Sequence, residues 1–226
     1  VQESTLYKKW KELYSEYNNT KDIQLAQIVE AKIWRPTDIF NKDLTIQEIN
    51  NLDPEIIIVE PEDINNFNDW KYIRVFCHTM EFTANVGRLI RVLLRDRVSG
   101  KYIGAASLGS DVASINVRDN WIGWSRENKF EHGLLNSTAI CTTIIPTQPF
   151  GYNFLGGKMI ASLLTTKVIR DEWKRKFGNT LVGVTTTSLY GSHSMYQRIP
   201  FWKELGVTAG KISLKPDDDV FEKWAN

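Results

Sequence analysis

Six residues carry the clearest chemical pattern in this chain: Asn153-Phe154-Leu155-Gly156-Gly157-Lys158, set between an apolar run at Thr138 to Ile145 and an amphipathic, basic run from Met159 to Phe177. A strand, a glycine-rich turn and a helix start together make an anion cradle. Backbone N–H groups at the helix N-terminus point at the ligand, and paired glycines let a pyrophosphate approach without a Cβ in the way. The pattern predicts a phosphate-bearing cofactor. A second block, Arg118-Asp119-Asn120-Trp121-Ile122-Gly123-Trp124, sets an Arg-Asp pair beside two tryptophans. Such a group orients a base or a carboxylate, since stacking plus hydrogen bonding is how unpaired bases are held. The same residues also make a packed turn, with tryptophan supplying buried area and Gly123 a close backbone approach. In a third block, a regular strand over Arg88 to Arg97 turns Ile90, Val92 and Leu94 to one side and Arg91, Leu93, Arg95 and Arg97 to the other. That basic side reads either as a solvated face or as a phosphate-contacting one.

The elements around these blocks follow from periodicity and breakers. Leu6, Trp10, Leu13, Tyr14 and Tyr17 recur at helical spacing, as Ile23, Ala26, Ile28 and Ile33 do more loosely, and Pro36 ends the pattern. Thr45 with Glu48 resembles a capping box, and Asp53-Pro54 breaks the chain before a β-branched strand at Ile56 to Val59. A polar loop with Asn65, Asn66 and Asn68 precedes an apolar segment, Trp70 to Met80, which reads as a helix. Arg88 to Arg97 and Lys101 to Leu108 flank Val98-Ser99-Gly100 and predict a hairpin. Ala139 to Ile145 is a third apolar strand, ending at Pro146 and Pro149. One helix is predicted from Met159 to Phe177, closed by Gly178-Asn179, and a strand at Leu181 to Thr187. A hydroxyl-rich loop from Ser188 to Ser194 then leads into a short helix starting at Met195. The order predicts an α+β arrangement with mostly sequential strand pairing and one crossover.

Composition narrows the setting. The 226 residues have the make-up of an ordinary globular protein, with a formal net charge of +1. That sum hides a division: residues 1–70 carry 7 Lys/Arg against 14 Asp/Glu, residues 71–211 carry 19 against 9, and residues 212–226 carry 2 against 4. An acidic arm on a basic body fits an arm that docks a protein partner, or a body that meets a polyanion. Cys77 and Cys141 lie far apart without metal-ligand spacing, so neither a disulfide framework nor a metal site is expected, and a reducing compartment is the simpler reading. No apolar run has membrane-spanning length. The expectation is a cytoplasmic protein that meets no membrane. The first residue, Val1, is not Met. Residues ahead of it are therefore expected.

Two resemblances build on these residues. From Glu55 to Val207, a long hairpin, a strand feeding a glycine-rich turn and helix, and a strand followed by a Tyr-bearing segment together resemble the acetyltransferase fold of the GNAT superfamily. That likeness implies a GNAT-like, mixed, largely antiparallel sheet flanked by helices at 55–211. A helical extension would precede it at 1–54 and an acidic tail follow at 212–226. In that superfamily the turn reads Q/R-x-x-G-x-G/A and binds the pyrophosphate of acyl-coenzyme A. Here Asn153 takes the first position, Gly156 is kept, Lys158 stands where a small residue is expected, and Pro200-Phe201 replaces a Gly-Phe step. Over Arg88 to Gly210, the strings RDNWIGW, NFLGGKMIASLL, DEW and SMYQRIPFWKELGVTAGK resemble the DruA family of the Druantia anti-phage system. That family looks related to the phage Mom proteins, which resemble acyltransferases that modify adenine in DNA.

The resemblances imply a transferase that modifies a DNA base from acyl-coenzyme A or a related donor, without a metal. Asn153, Leu155, Gly156, Gly157 and Lys158 would hold the donor's pyrophosphate, and the strand end at Ile145 would polarise its carbonyl. Tyr196 would be the acid, Asp119 the base or acceptor-orienting group, and His193 an alternative base. Trp121, Trp124 and Tyr190 would stack an extruded base, while Arg91, Arg95, Arg118 and Arg198 would meet phosphates. The alternative is a catalytically silent DNA-binding or scaffolding module that keeps the fold. In that case Tyr196 is a core residue, Asp119 an ion-pair partner of Arg118, and His193 an idle loop residue.

Overall fold

The computed structural model describes residues 27–78, 86–147, 150, 156–187 and 195–206. In chain order these form α1 (Lys42–Asn50), β1 (Pro54–Val59), α2 (Ile64–Phe76), β2 (Leu89–Asp96), β3 (Tyr102–Ser110), α3 (Asn116–Ile122), α4 (Arg126–Phe130), a 3-10 turn (Leu134–Ser137), β4 (Thr138–Pro146), α5 (Gly156–Leu163), α6 (Lys167–Phe177) and β5 (Gly183–Thr185). The five strands make one sheet in sequence order. β1 to β4 pair antiparallel, and β5 joins β4 in parallel through Thr138–Ile140. The mixed, largely antiparallel sheet expected from the sequence is present, with helices on both faces.

The hairpin between β2 and β3 turns on a residue that spacing alone does not single out. Asp96 is buried; its carboxylate accepts from Ser99 N at 2.8 Å and from Asp53 N at 2.9 Å, so one side chain shapes the turn and anchors the start of β1. Alternation along β2 then splits the core. Ile90, Val92 and Leu94 pack with Phe150, Ile160, Leu164, Ile169 and Trp173 under α5 and α6. Leu93 packs with Trp70, Ile73, Tyr102 and Ala105 under α2. Each fully buried side chain of this size contributes about 1.5–3 kcal/mol. The stretch before α1 joins both layers: Ile33 bridges Tyr102 in parallel, Trp34 N donates to Tyr102 O at 2.9 Å, and Trp34 packs on Phe150 with ring centroids 4.7 Å apart.

The strand expected over Leu181 to Thr187 is only Gly183–Thr185, and four further elements differ from expectation, each for a local reason. α1 starts earlier because Asn41 is its cap, accepting from Leu44 N; Thr45 is buried inside it and Glu48 instead accepts from Thr37 N at 3.0 Å. α2 takes in the asparagine-rich stretch read as a loop, since Asp63 caps Asn66 N at 3.0 Å and the sheet buries Trp70 and Ile73. The helix expected over Met159 to Phe177 is two helices. The hydroxyls of Thr165 and Thr166 donate back to the carbonyls of Ser162 at 2.7 Å and Leu163 at 2.8 Å, ending α5, and Thr166 turns extended to start α6. No short helix forms at Met195 onward; Arg198 at φ 63° and Phe201 at φ 69° lie in the left-handed region, which interrupts any helix there. The stripe from Leu6 to Tyr17, the Ser188–Ser194 loop and the acidic tail lie outside the described residues.

Candidate functional site

The α6 junction, α3 and the chain after Met195 enclose a cleft of about 840 Å³ beside β5. Trp121 and Arg118 from α3, Arg170 from α6, Thr185 from β5, and Tyr196, Arg198, Phe201, Trp202 and Lys203 line it. Four of the residues singled out in the sequence therefore meet here: Arg118, Trp121, Tyr196 and Arg198. Arg170 and Lys203 are not site candidates from sequence, and Phe201 enters there only through the Pro200-Phe201 step. Arg170 reads in sequence as one of several surface charges on a basic helix.

Exposed charge in the cleft is mainly positive. The Arg170 and Arg198 side chains have no hydrogen-bond or ion-pair partner among the described residues, and Lys203 Nζ lies 4.9 Å from the centroid of the Trp121 ring. The lining carboxylate is Glu204, which accepts from Gln197 at 2.8 Å. Trp121 is 59% exposed and Phe201 fully so. A bulky side chain at positive φ costs about 1–3 kcal/mol, and such strain concentrates at functional sites. Here it holds Arg198 and Phe201 at the cleft. Tyr196 stacks on Trp202 with centroids 5.9 Å apart; burial, and then the neighbouring Cys141, push its hydroxyl up to about 12. It stays protonated at neutral pH.

Behind the cleft wall, Arg118 and Asp119 belong to a buried network. Arg118 donates to Asp119 Oδ1 at 2.8 and 2.5 Å and pairs with Asp111 at 2.9 Å. Lys129 Nζ donates to Asp119 Oδ2 at 2.6 Å and to Ala113 O at 3.1 Å. Asp111 also accepts from Thr185 at 2.8 Å, tying the network to β5. Burial would raise the Asp119 carboxyl, but hydrogen bonds from Lys129 and Arg118 outweigh it and hold it below the usual range. Both oxygens are engaged, an arrangement suited to an ion-pair anchor. Trp124 packs under Arg118, 5.4 Å from its guanidinium carbon, and does not line the cleft.

The glycine-rich turn lies elsewhere. A Cβ on Gly156 would sit 2.5 Å from Phe150 Cβ and 2.8 Å from Pro146 Cβ, and one on Gly157 would sit 3.1 Å from Met195 Sδ. Lys158 Nζ donates to Gln197 O at 2.8 Å. At Gly156 the space that glycine opens is taken by Phe150 and Pro146, whereas at Gly157 it meets only the movable end of Met195. Ile145 is buried in the layer under α2. Asn153, Leu155, Tyr190 and His193 lie outside the described residues.

The β2 arginines are apart from the cleft as well. Arg91 lies 5.2 Å from both the Phe67 and Trp70 ring centroids, and Arg95 pairs with its cross-strand neighbour Glu55 at 2.6 Å. Among the described residues no group of three or more His, Cys, Asp or Glu side chains could hold a metal ion, and no helix is long and apolar enough to cross a membrane.

Fold and cleft define an α+β protein with a cationic, aromatic cleft at one edge of a five-stranded sheet. A model of the family described as Druantia protein DruA matches residues 7–224, and the chain belongs to that family. Its similarity to the Druantia protein DruA of Escherichia coli (strain UMEA 4076-1) is 32% identity over 157 residues, covering 62% of this chain and 38% of that protein. The matched part thus spans well under half of that relative. No solved structure matches the chain.

Proposed function

We propose that this chain serves Druantia-type anti-phage defence as a nucleic-acid-binding module that takes DNA into the cleft between α3, α6 and the Met195–Gly206 stretch. The observation that carries this reading is the grouping of Arg170, Arg198 and Lys203 around exposed Trp121 and Phe201. Cations with open aromatic faces bind the two parts of a nucleotide, phosphate and base. The buried Asp111–Arg118–Asp119–Lys129 network fixes α3 and thereby the position of Trp121.

Salt dependence tests it. Three phosphate contacts give a slope of log affinity against log salt of about −2 for a single strand. Replacing Arg170, Arg198 and Lys203 together by glutamine should remove most of that slope. An unchanged slope, or no DNA binding at low salt, would refute the proposal.

A second reading is a transferase with a GNAT-like fold, using an acyl-coenzyme A-like donor. The order of the sheet favours it: four antiparallel strands, a glycine start to the helix after β4, and a parallel β5. Calorimetric titration of acetyl-coenzyme A into the protein and into Gly157→Glu tests this reading; absence of binding at millimolar donor rules that donor out.

A further inference from the structure

We infer that the cleft selects unpaired DNA, stacking bases on Trp121 and Phe201 while Arg170, Arg198 and Lys203 follow the backbone. The inference rests on the reading of the cleft as a nucleic-acid site and adds the form of DNA it accepts.

The shape of the site separates the two forms. A duplex presents phosphates outward and hides its base faces in the stack, and proteins read it by inserting a convex helix, ribbon or side chain into a groove. Here the exposed aromatic rings line a concave cleft of about 840 Å³. A base must leave the stack before its face can lie on a ring there, which costs a duplex a few kcal/mol of unpairing and unstacking that an unpaired strand does not face.

Phe201 gives independent support. It is fully exposed, so its ring adds little to the core, yet it is held at φ 69°, where a glycine would be unstrained. A large apolar ring kept in solvent on a strained backbone, two residues from the Lys203 ammonium and three from Arg198, has the makings of a stacking platform flanked by cations. Trp121 has the same setting, with 59% of its surface exposed and Lys203 Nζ 4.9 Å from its ring centroid. Stacking of this kind is sequence-tolerant, since every base has a face. The cleft should therefore accept strands of any sequence.

Fluorescence anisotropy with a labelled oligothymidine strand, an abasic strand of equal length and a blunt-ended two-strand duplex tests the inference. The thymidine strand should bind about tenfold or more tightly than either of the others. Trp121→Ala and Phe201→Gly should each cost about tenfold on that strand and under twofold on the duplex. Phe201→Gly relieves the backbone at φ 69° and should melt no lower than the wild type, so lost binding cannot be ascribed to unfolding. Equal affinity for strand and duplex, or equal affinity for thymidine and abasic strands, would overturn the inference while leaving DNA binding intact. If none of the three binds in a salt-sensitive way, the nucleic-acid reading itself fails.

Discussion

Substituting Asn for Asp119 separates an anchoring role from a chemical one. The carboxylate takes two hydrogen bonds from Arg118, at 2.8 and 2.5 Å, and one from Lys129 at 2.6 Å. Arg118 is 2% exposed and Lys129 8%. In the variant Arg118 keeps Asp111 at 2.9 Å and Lys129 keeps the Ala113 carbonyl at 3.1 Å, but the new amide has one oxygen for two cations and turns a donor toward one of them. Breaking a buried pair by removing one partner costs about 3–5 kcal/mol. For a chain of this length that lowers the melting temperature by roughly 6–20 °C. Adding Lys129→Met removes the orphaned ammonium, so the double variant should recover more than about 1 kcal/mol relative to additivity.

The pH dependence follows from the same contacts. The folded carboxyl is held below its unfolded value of about 3.9. Its contribution is therefore fully present above that pH and is lost as pH falls through the folded value. Wild-type stability should drop in acid more steeply than that of Asp119→Asn. Calorimetric melting across pH measures both effects. A variant that melts within about 2 °C of wild type would refute the anchoring role.

The two glycines of α5 should respond differently to alanine. Gly156→Ala meets Phe150 Cβ and Pro146 Cβ, atoms tied closely to the backbone, and should cost about 2–3 kcal/mol by denaturant unfolding. Gly157→Ala meets only the movable end of Met195 and should stay within about 1 kcal/mol of wild type. Lys158→Met removes the hydrogen bond to Gln197 O, worth about 1 kcal/mol. Hydrogen exchange should then quicken in residues 195–206 while α5 stays protected; unchanged exchange there would contradict its tethering role.

How much of this was legible in the sequence depends on where the deciding contact lies. β1 to β4 were readable because alternation and breakers are local, as Ile90, Val92 and Leu94 show. The break between α5 and α6 was hidden, since Leu163, Leu164 and Val168 keep a helical stripe across it and the decision rests on where the Thr165 and Thr166 hydroxyls bond. In the site, Arg118, Trp121, Tyr196 and Arg198 stood out by type and grouping. The Arg118–Asp119 pair was readable from adjacency, but its further partners were not: Asp111 and Lys129 are brought in by the path of the chain around α3 and α4 rather than by spacing. The Pro200-Phe201 step was visible, but not the exposure of its ring, because phenylalanine does not announce a positive φ.

Photo-crosslinking locates bound DNA most directly. A single strand carrying 5-iodouracil, irradiated with the protein and mapped by mass spectrometry, should attach to peptides containing Trp121 and Phe201, and excess unlabelled strand should suppress those adducts. Adducts confined to α2 or the β2 arginines, with Trp121 and Phe201 unmodified, would contradict a nucleic-acid site in this cleft.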